Sequence, residues 1–133
     1  MPDKSKGKPK PLSEWSDVYD LLEQVRLRPG MFVHQGSVHE LSAMLFGYSL
    51  ALQVHDAPED FDLDPACGPF AQWLSGTQRW SMVRGWATAI EANAKDTAPL
   101  ELFFRLLDDY LASTGRTGEH RLVAQDPAEP RIN

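Results

Sequence analysis

The chain has 133 residues, a formal net charge of −6 and 42% hydrophobic side chains, with four tryptophans and six phenylalanines among them. That content suits one domain with a single apolar core and excludes global disorder. The lone cysteine, Cys67, excludes an internal disulfide and any multi-cysteine zinc site, and fits a reducing compartment.

The charge is unevenly placed. Residues 1–12 hold four lysines and one aspartate, whereas residues 13–112 hold fifteen acidic and six basic side chains. A basic, proline-containing leader at 1–12 is expected to be disordered. The acidic body argues against a nucleic-acid groove and for a basic partner. The leader lacks the apolar segment of a secretory signal, and no apolar run is long enough to span a bilayer, so the expectation is a cytoplasmic protein without membrane association.

In chain order, Ser13 or Ser16 can cap a first helix, on which Trp15, Val18, Tyr19, Leu22 and Val25 recur at three- and four-residue steps. Pro29-Gly30 stops it, with Arg26 and Arg28 in the last turn. Ser37 and Glu40 have capping-box spacing, and Leu41, Met44, Leu45, Tyr48 and Leu52 carry a second helical stripe to about His55. Residues 56–66 read as a loop. Gly68-Pro69 opens a short helix bearing Phe70, Trp73 and Leu74, ended by Ser75-Gly76. Trp80, Val83, Trp86, Ala87 and Ile90 trace a fourth helix. Pro99 starts a fifth, with Leu100, Phe103, Phe104, Leu107, Tyr110 and Leu111 on one face. No segment alternates as a strand would. The expected fold is all-α: a compact bundle of four long helices and one short one over residues 13–113, followed by a flexible tail at 114–133.

Three stretches are candidates for function. In Arg28-Pro29-Gly30-Met31-Phe32, Gly30 permits a positive φ, Met31 and Phe32 are expected to enter the core, and Arg28 is placed to pair with Asp108 or Asp109, which makes the stretch a structural turn. The segment from Asp56 to Ala66 contains Asp56, Glu59, Asp60, Asp62 and Asp64 without one lysine or arginine. Counted as a calcium loop from Asp60, it has Pro65 where glycine is required and Ala71 where glutamate is required, so that reading fails. Two readings remain, a solvated acidic loop and a polar surface that mimics phosphates toward a basic cleft, and in both Asp60, Asp62 and Asp64 are replaceable by asparagine at little cost to the fold. Third, Trp80 beside Arg79 is a candidate interface anchor. His34, His39 and His55 are too scattered for a metal site, Cys67 lacks a basic neighbour, and no nucleophile signature is present. No cofactor, metal or catalytic residue is expected.

The stretch around VRLRPGMF, residues 25–32, resembles a segment near the start of the type II topoisomerase ATPase domain. That family requires a glutamate and an asparagine on the following helix. Here that helix reads LSAMLFGYSLAL, without acid or amide after Glu40, so the resemblance does not imply ATP hydrolysis. Over more of its length the chain resembles small bacterial proteins that share an RPGM(Y/F) turn, a leucine helix with Gly47-Tyr48, a tryptophan helix at 80–86 and a closing helix from Phe104 to Tyr110. That layout is associated with the immunity proteins of polymorphic toxin systems. The resemblance implies a binding protein that neutralises a cognate toxin, with the carboxylates at 56–64 meeting a basic, nuclease-like active-site cleft. The alternatives are a small-molecule or nucleotide-binding domain using Arg26, Arg28 and His34, and a helical adaptor dimerising through helix 99–112.

Overall fold

A computed structural model describes residues 9–115 of the chain. The expected disorder of residues 1–8 and the expected tail beyond 115 lie outside the described residues. Among those described, five α-helices and no strand are present: α1 (Val18–Leu27), α2 (Val38–Val54), α3 (Pro69–Gln78), α4 (Gly85–Asn93) and α5 (Pro99–Ser113), with short 3₁₀ turns at Leu12–Glu14, Pro29–Met31 and His34–Gly36. The class is all-α, as the sequence implies. The proportions differ: α2 and α5 have 17 and 15 residues, while α1, α3 and α4 have 10, 10 and 9.

α1 is capped by Asp17, not by a serine. Its carboxylate accepts from the Tyr19 and Asp20 amides, and Asp20 accepts in return from the Asp17 amide, so two orphan donors are satisfied reciprocally. The helix ends at Leu27 because Arg28, restricted by the proline after it, adopts φ −139° and ψ 68°. Lys10, among the described residues of the leader, is engaged before α1 begins. Lys10 Nζ donates to the buried Asp20 at 2.8 Å, the Lys10 amide donates to Gln24 Oε1 at 3.3 Å, and the Trp15 indole N–H donates to the Lys10 carbonyl at 3.0 Å.

The turn after α1 works differently from its sequence reading. Gly30 is not among the positive-φ residues; Gln35 and Gly36 are, with φ 54° and 69°. Met31 is 69% exposed and Phe32 half-buried, and the side chain that enters the core is Val33. The 3₁₀ turn at 29–31 rotates Met31 outward and leaves the inward position to the residue that follows Phe32. Ser37 Oγ caps α2 by accepting from the Glu40 amide, while Glu40 Oε1 accepts from the His34 amide at 2.6 Å, at the start of the third 3₁₀ turn.

The core is aromatic at its centre. Phe70 of α3 meets Trp86 of α4 and Phe103 and Tyr110 of α5 at centroid distances of 5.8, 5.8 and 5.4 Å, in edge-to-face arrangements. Val18, Leu22 and Val25 of α1 and Val38, Leu41 and Leu45 of α2 close the core from the other helices. The segment 56–68 is tied into this core. Trp86 donates its indole N–H to the Leu63 carbonyl and its amide to the Pro65 carbonyl, and Phe70 donates its amide to the Asp62 carbonyl. Gly68 is required by space: a Cβ there would lie 2.8 Å from the Asp62 oxygen and 2.9 Å from the Asp64 nitrogen.

The fourth helix is shorter than its apolar spacing suggests. α3 runs past Gly76 to Gln78 and closes on Arg79, which adopts the left-handed conformation. Trp80, Met82 and Val83 therefore fall in a loop, and α4 begins only at Gly85, whose φ of +88° reorients the chain.

Candidate functional site

The acidic segment is partly internal, which corrects its reading as a uniformly solvated surface. Asp62 is only 6% exposed; its Oδ2 accepts from the Tyr110 hydroxyl at 2.8 Å and lies 3.5 Å from that of Tyr19. Glu59 accepts from the Val18 amide at 2.8 Å and from the Tyr48 hydroxyl at 2.6 Å, so one carboxylate satisfies the first turn of α1 and a phenol of α2. Partial burial pushes the Tyr48 phenol up from its ordinary value. The Glu59 hydrogen bond and charge, and the more distant charges of Asp17 and Asp20, act in the same direction. Asp64 is exposed, yet its Oδ1 accepts from the Ala66 and Cys67 amides and so shapes the turn before α3. Asp56 and Asp60 are exposed, Asp56 with φ 50°. Three of the five carboxylates therefore remain on the surface. The alternation Asp60-Phe61-Asp62-Leu63-Asp64 contains the missed signal. Leu63 is fully buried, and Tyr19 and Tyr110 sit on apolar helical faces where their hydroxyls need acceptors.

Arg79 and Trp80 form one end of an exposed loop. Val83 is 88% exposed, Trp80 and Met82 are half-buried against the core, and Arg79 and Arg84 flank them. Arg79, Trp80, Val83 and Arg84, with Thr88 and Ala92 of α4, border an open groove of about 440 Å³. The acidic segment reaches the same part of the molecule, since Pro65 lies 3.4 Å from the Cβ position of Gly85. Asp64 and Arg84 are the immediate chain neighbours of that junction.

The cations near the RPG turn are not gathered into one pocket. Arg26, not Arg28, meets Asp108, with Nη–Oδ distances of 2.9 and 2.7 Å, and its guanidinium lies 5.2 Å from the Phe104 ring centre. Arg26 is in the last turn of α1 on the side of α5, whereas Arg28 follows the helix end and, among the described residues, reaches only Met31 Sδ, at 4.0 Å. Arg26 and Arg105 border a groove of about 890 Å³ between the turn and the start of α5. Arg28 borders another of about 350 Å³ with Lys10 and Trp15, and His34 lines neither. The aromatic residues of α5 are equally unavailable for dimerisation, because Phe103, Phe104 and Tyr110 are buried in the core.

His39 Nε2 is 2.8 Å from Glu91 Oε1, and Cys67 is an exposed free thiol. Among the described residues no group of three or more His, Cys, Asp or Glu side chains could hold a metal ion, and no helix is long and apolar enough to cross a membrane. In comparisons with known proteins, the chain matches no family model, no curated protein and no solved structure.

Proposed function

We propose that this chain is a non-catalytic binding protein that neutralises a cognate bacterial toxin in the cytoplasm by covering it. One observation carries the reading. The loop from Arg79 to Arg84 presents an exposed valine and a half-buried tryptophan between two arginines, at the edge of an open groove. Tryptophan and arginine dominate the energetic centres of protein interfaces, where an apolar side chain fills a pocket and polar residues exclude water around it. Asp56, Asp60 and Asp64 supply rim charge that steers a basic partner and acts mainly on encounter. Asp62 and Glu59 act from inside, holding the segment in place. The mechanism is occlusion and requires neither metal nor cofactor.

The test is binding to the product of a toxin-bearing reading frame beside the gene, measured by calorimetry and stopped-flow mixing. Trp80→Ala and Val83→Glu should each weaken binding at least about tenfold. Asp56→Asn with Asp60→Asn should slow association and flatten its salt dependence. Unchanged affinity in both loop variants would overturn the assignment of this surface, and the absence of any complex would overturn the function.

A further inference from the structure

In an acidic body, the cations of one groove have no internal counter-charge. Residues 13–112 hold fifteen acidic side chains against six basic ones. Yet the groove of about 440 Å³ beside the Arg79–Arg84 loop is lined by two arginines and by no Asp or Glu. The larger groove at the start of α5 sets Glu101 and Asp108 against Arg26 and Arg105. The smaller one has Lys10 and Arg28, and its lysine is held by Asp20 at 2.8 Å. Arg79 and Arg84 enter no ion pair with another described residue. Asp64, the carboxylate beside the Pro65–Gly85 contact, turns its Oδ1 to the amides of Ala66 and Cys67 instead.

The conformation of Arg79 is a second observation. α3 closes on it at φ 63° and ψ 32°, a left-handed geometry that glycine or asparagine ordinarily fills. The side chain kept in that unfavourable geometry is one that lines the groove. Between the two arginines lie Trp80, half-buried against the core, and Val83, 88% exposed. Along the chain the site therefore reads cation, apolar, cation.

We propose that this groove takes an acidic segment of a protein partner, with carboxylates on Arg79 and Arg84 and an apolar side chain between them against Trp80 and Val83. A guanidinium is weakly hydrated and offers a planar fork of donors that a carboxylate fills bidentately. Two arginines without internal partners therefore select a carboxylate over a neutral group. Val83 keeps water from that contact, and the Trp80 ring gives it an apolar floor. A uniformly basic surface is repelled here, although Asp56, Asp60 and Asp64 attract cations nearby. The partner's face is thus two-signed, with carboxylates opposite the loop and basic groups opposite the acidic segment. That alternation fixes one docking orientation. This deepens the reading of the loop as a contact surface and rests on it, without requiring that the partner be a toxin.

Nuclear magnetic resonance on the isotope-labelled full chain tests it, with a capped pentapeptide, acetyl-Glu-Leu-Phe-Leu-Glu-amide, and its glutamine twin as probes. The Trp80 indole and the Arg79 and Arg84 side-chain signals should shift with the acidic peptide, and the twin should bind at least about tenfold more weakly. Arg79→Gln with Arg84→Gln should remove that preference while circular dichroism stays as in wild type. Lys95→Gln with Arg105→Gln, a charge-matched change outside the groove, should preserve it. Equal affinity for the two peptides, unshifted signals at millimolar peptide, or tighter binding of a short oligothymidylate would overturn the proposal. The arginine variant is then mixed with the product of the toxin-bearing frame beside the gene. A peptide preference without any toxin complex upholds the groove's chemistry and removes the toxin. A complex indifferent to both arginines upholds the toxin and overturns the groove's chemistry.

Discussion

The Tyr110 hydroxyl donates to Asp62 Oδ2 across 2.8 Å, fastening the last helix to the middle of the acidic segment, 48 residues earlier in the chain. Asp62→Ala leaves the hydroxyls of Tyr110 and Tyr19 without that acceptor inside the protein, and should destabilise by about 2–4 kcal/mol. Asp60→Asn, two residues away and exposed, should stay within about 0.5 kcal/mol. Urea unfolding followed by tryptophan fluorescence and circular dichroism checks both. Equal stabilities would show that the segment is not anchored through this carboxylate.

Tyr48 gives the fold an alkaline limit. Its phenol is pushed up in the folded protein by burial first and then by Glu59, while the unfolded phenol ionises near pH 10. Below that pH both states keep the proton and the group adds no pH dependence. Above it the unfolded state loses its proton first, so stability falls as pH rises. Tyr48→Phe should lower stability at pH 7 through the lost hydrogen bond, yet flatten the decline between about pH 10 and 11.5. Denaturant midpoints for both proteins across that range measure the difference, and parallel curves would refute it.

Two glycines should respond in opposite ways. Gly30→Ala should change stability by under about 0.5 kcal/mol, since its φ is negative and a Cβ there meets nothing within 4 Å. Gly68→Ala should cost about 2–4 kcal/mol, because the new methyl group strikes backbone atoms of the acidic segment, which cannot move without breaking the Phe70–Asp62 bond. Thermal melting of the two variants side by side is sufficient.

The Arg26–Asp108 pair is bidentate but open to solvent, so its coupling should be modest. A double-mutant cycle with Arg26→Ala and Asp108→Ala should give about 0.5–1 kcal/mol, reduced at high salt. Arg26→Ala alone should cost more than Asp108→Ala, since it also removes the contact with Phe104. The corresponding cycle on Arg28 and Asp108 should show no coupling.

Local pattern made α2 and α5 legible, because their apolar residues follow the helical period over more than ten residues. The Pro29 stop was legible for the same reason, being a property of adjacent residues. Asp62 was not: its partners lie 43 and 48 residues away, and only the fold brings the two phenols to it. Trp80 and Val83 mimicked a helix by spacing alone, and the left-handed Arg79 and positive-φ Gly85 that interrupt it leave no periodic trace. Arg26 and Arg28 were interchangeable on paper. Their difference is which side of a helix end each occupies, a matter of one or two residues.

The contacts of Lys10 move the start of the autonomous folding unit upstream of its apparent position. A chain begun at Ser13 would retain every helix, yet it would strip an ammonium from the nearly solvent-free Asp20 and remove the carbonyl that holds the Trp15 indole. The carboxylate left behind is the one that completes the cap of α1, so trimming a leader that looks dispensable loosens the first helix at its origin. Where such a protein is fused, tagged or cleaved, the seam belongs before Pro9.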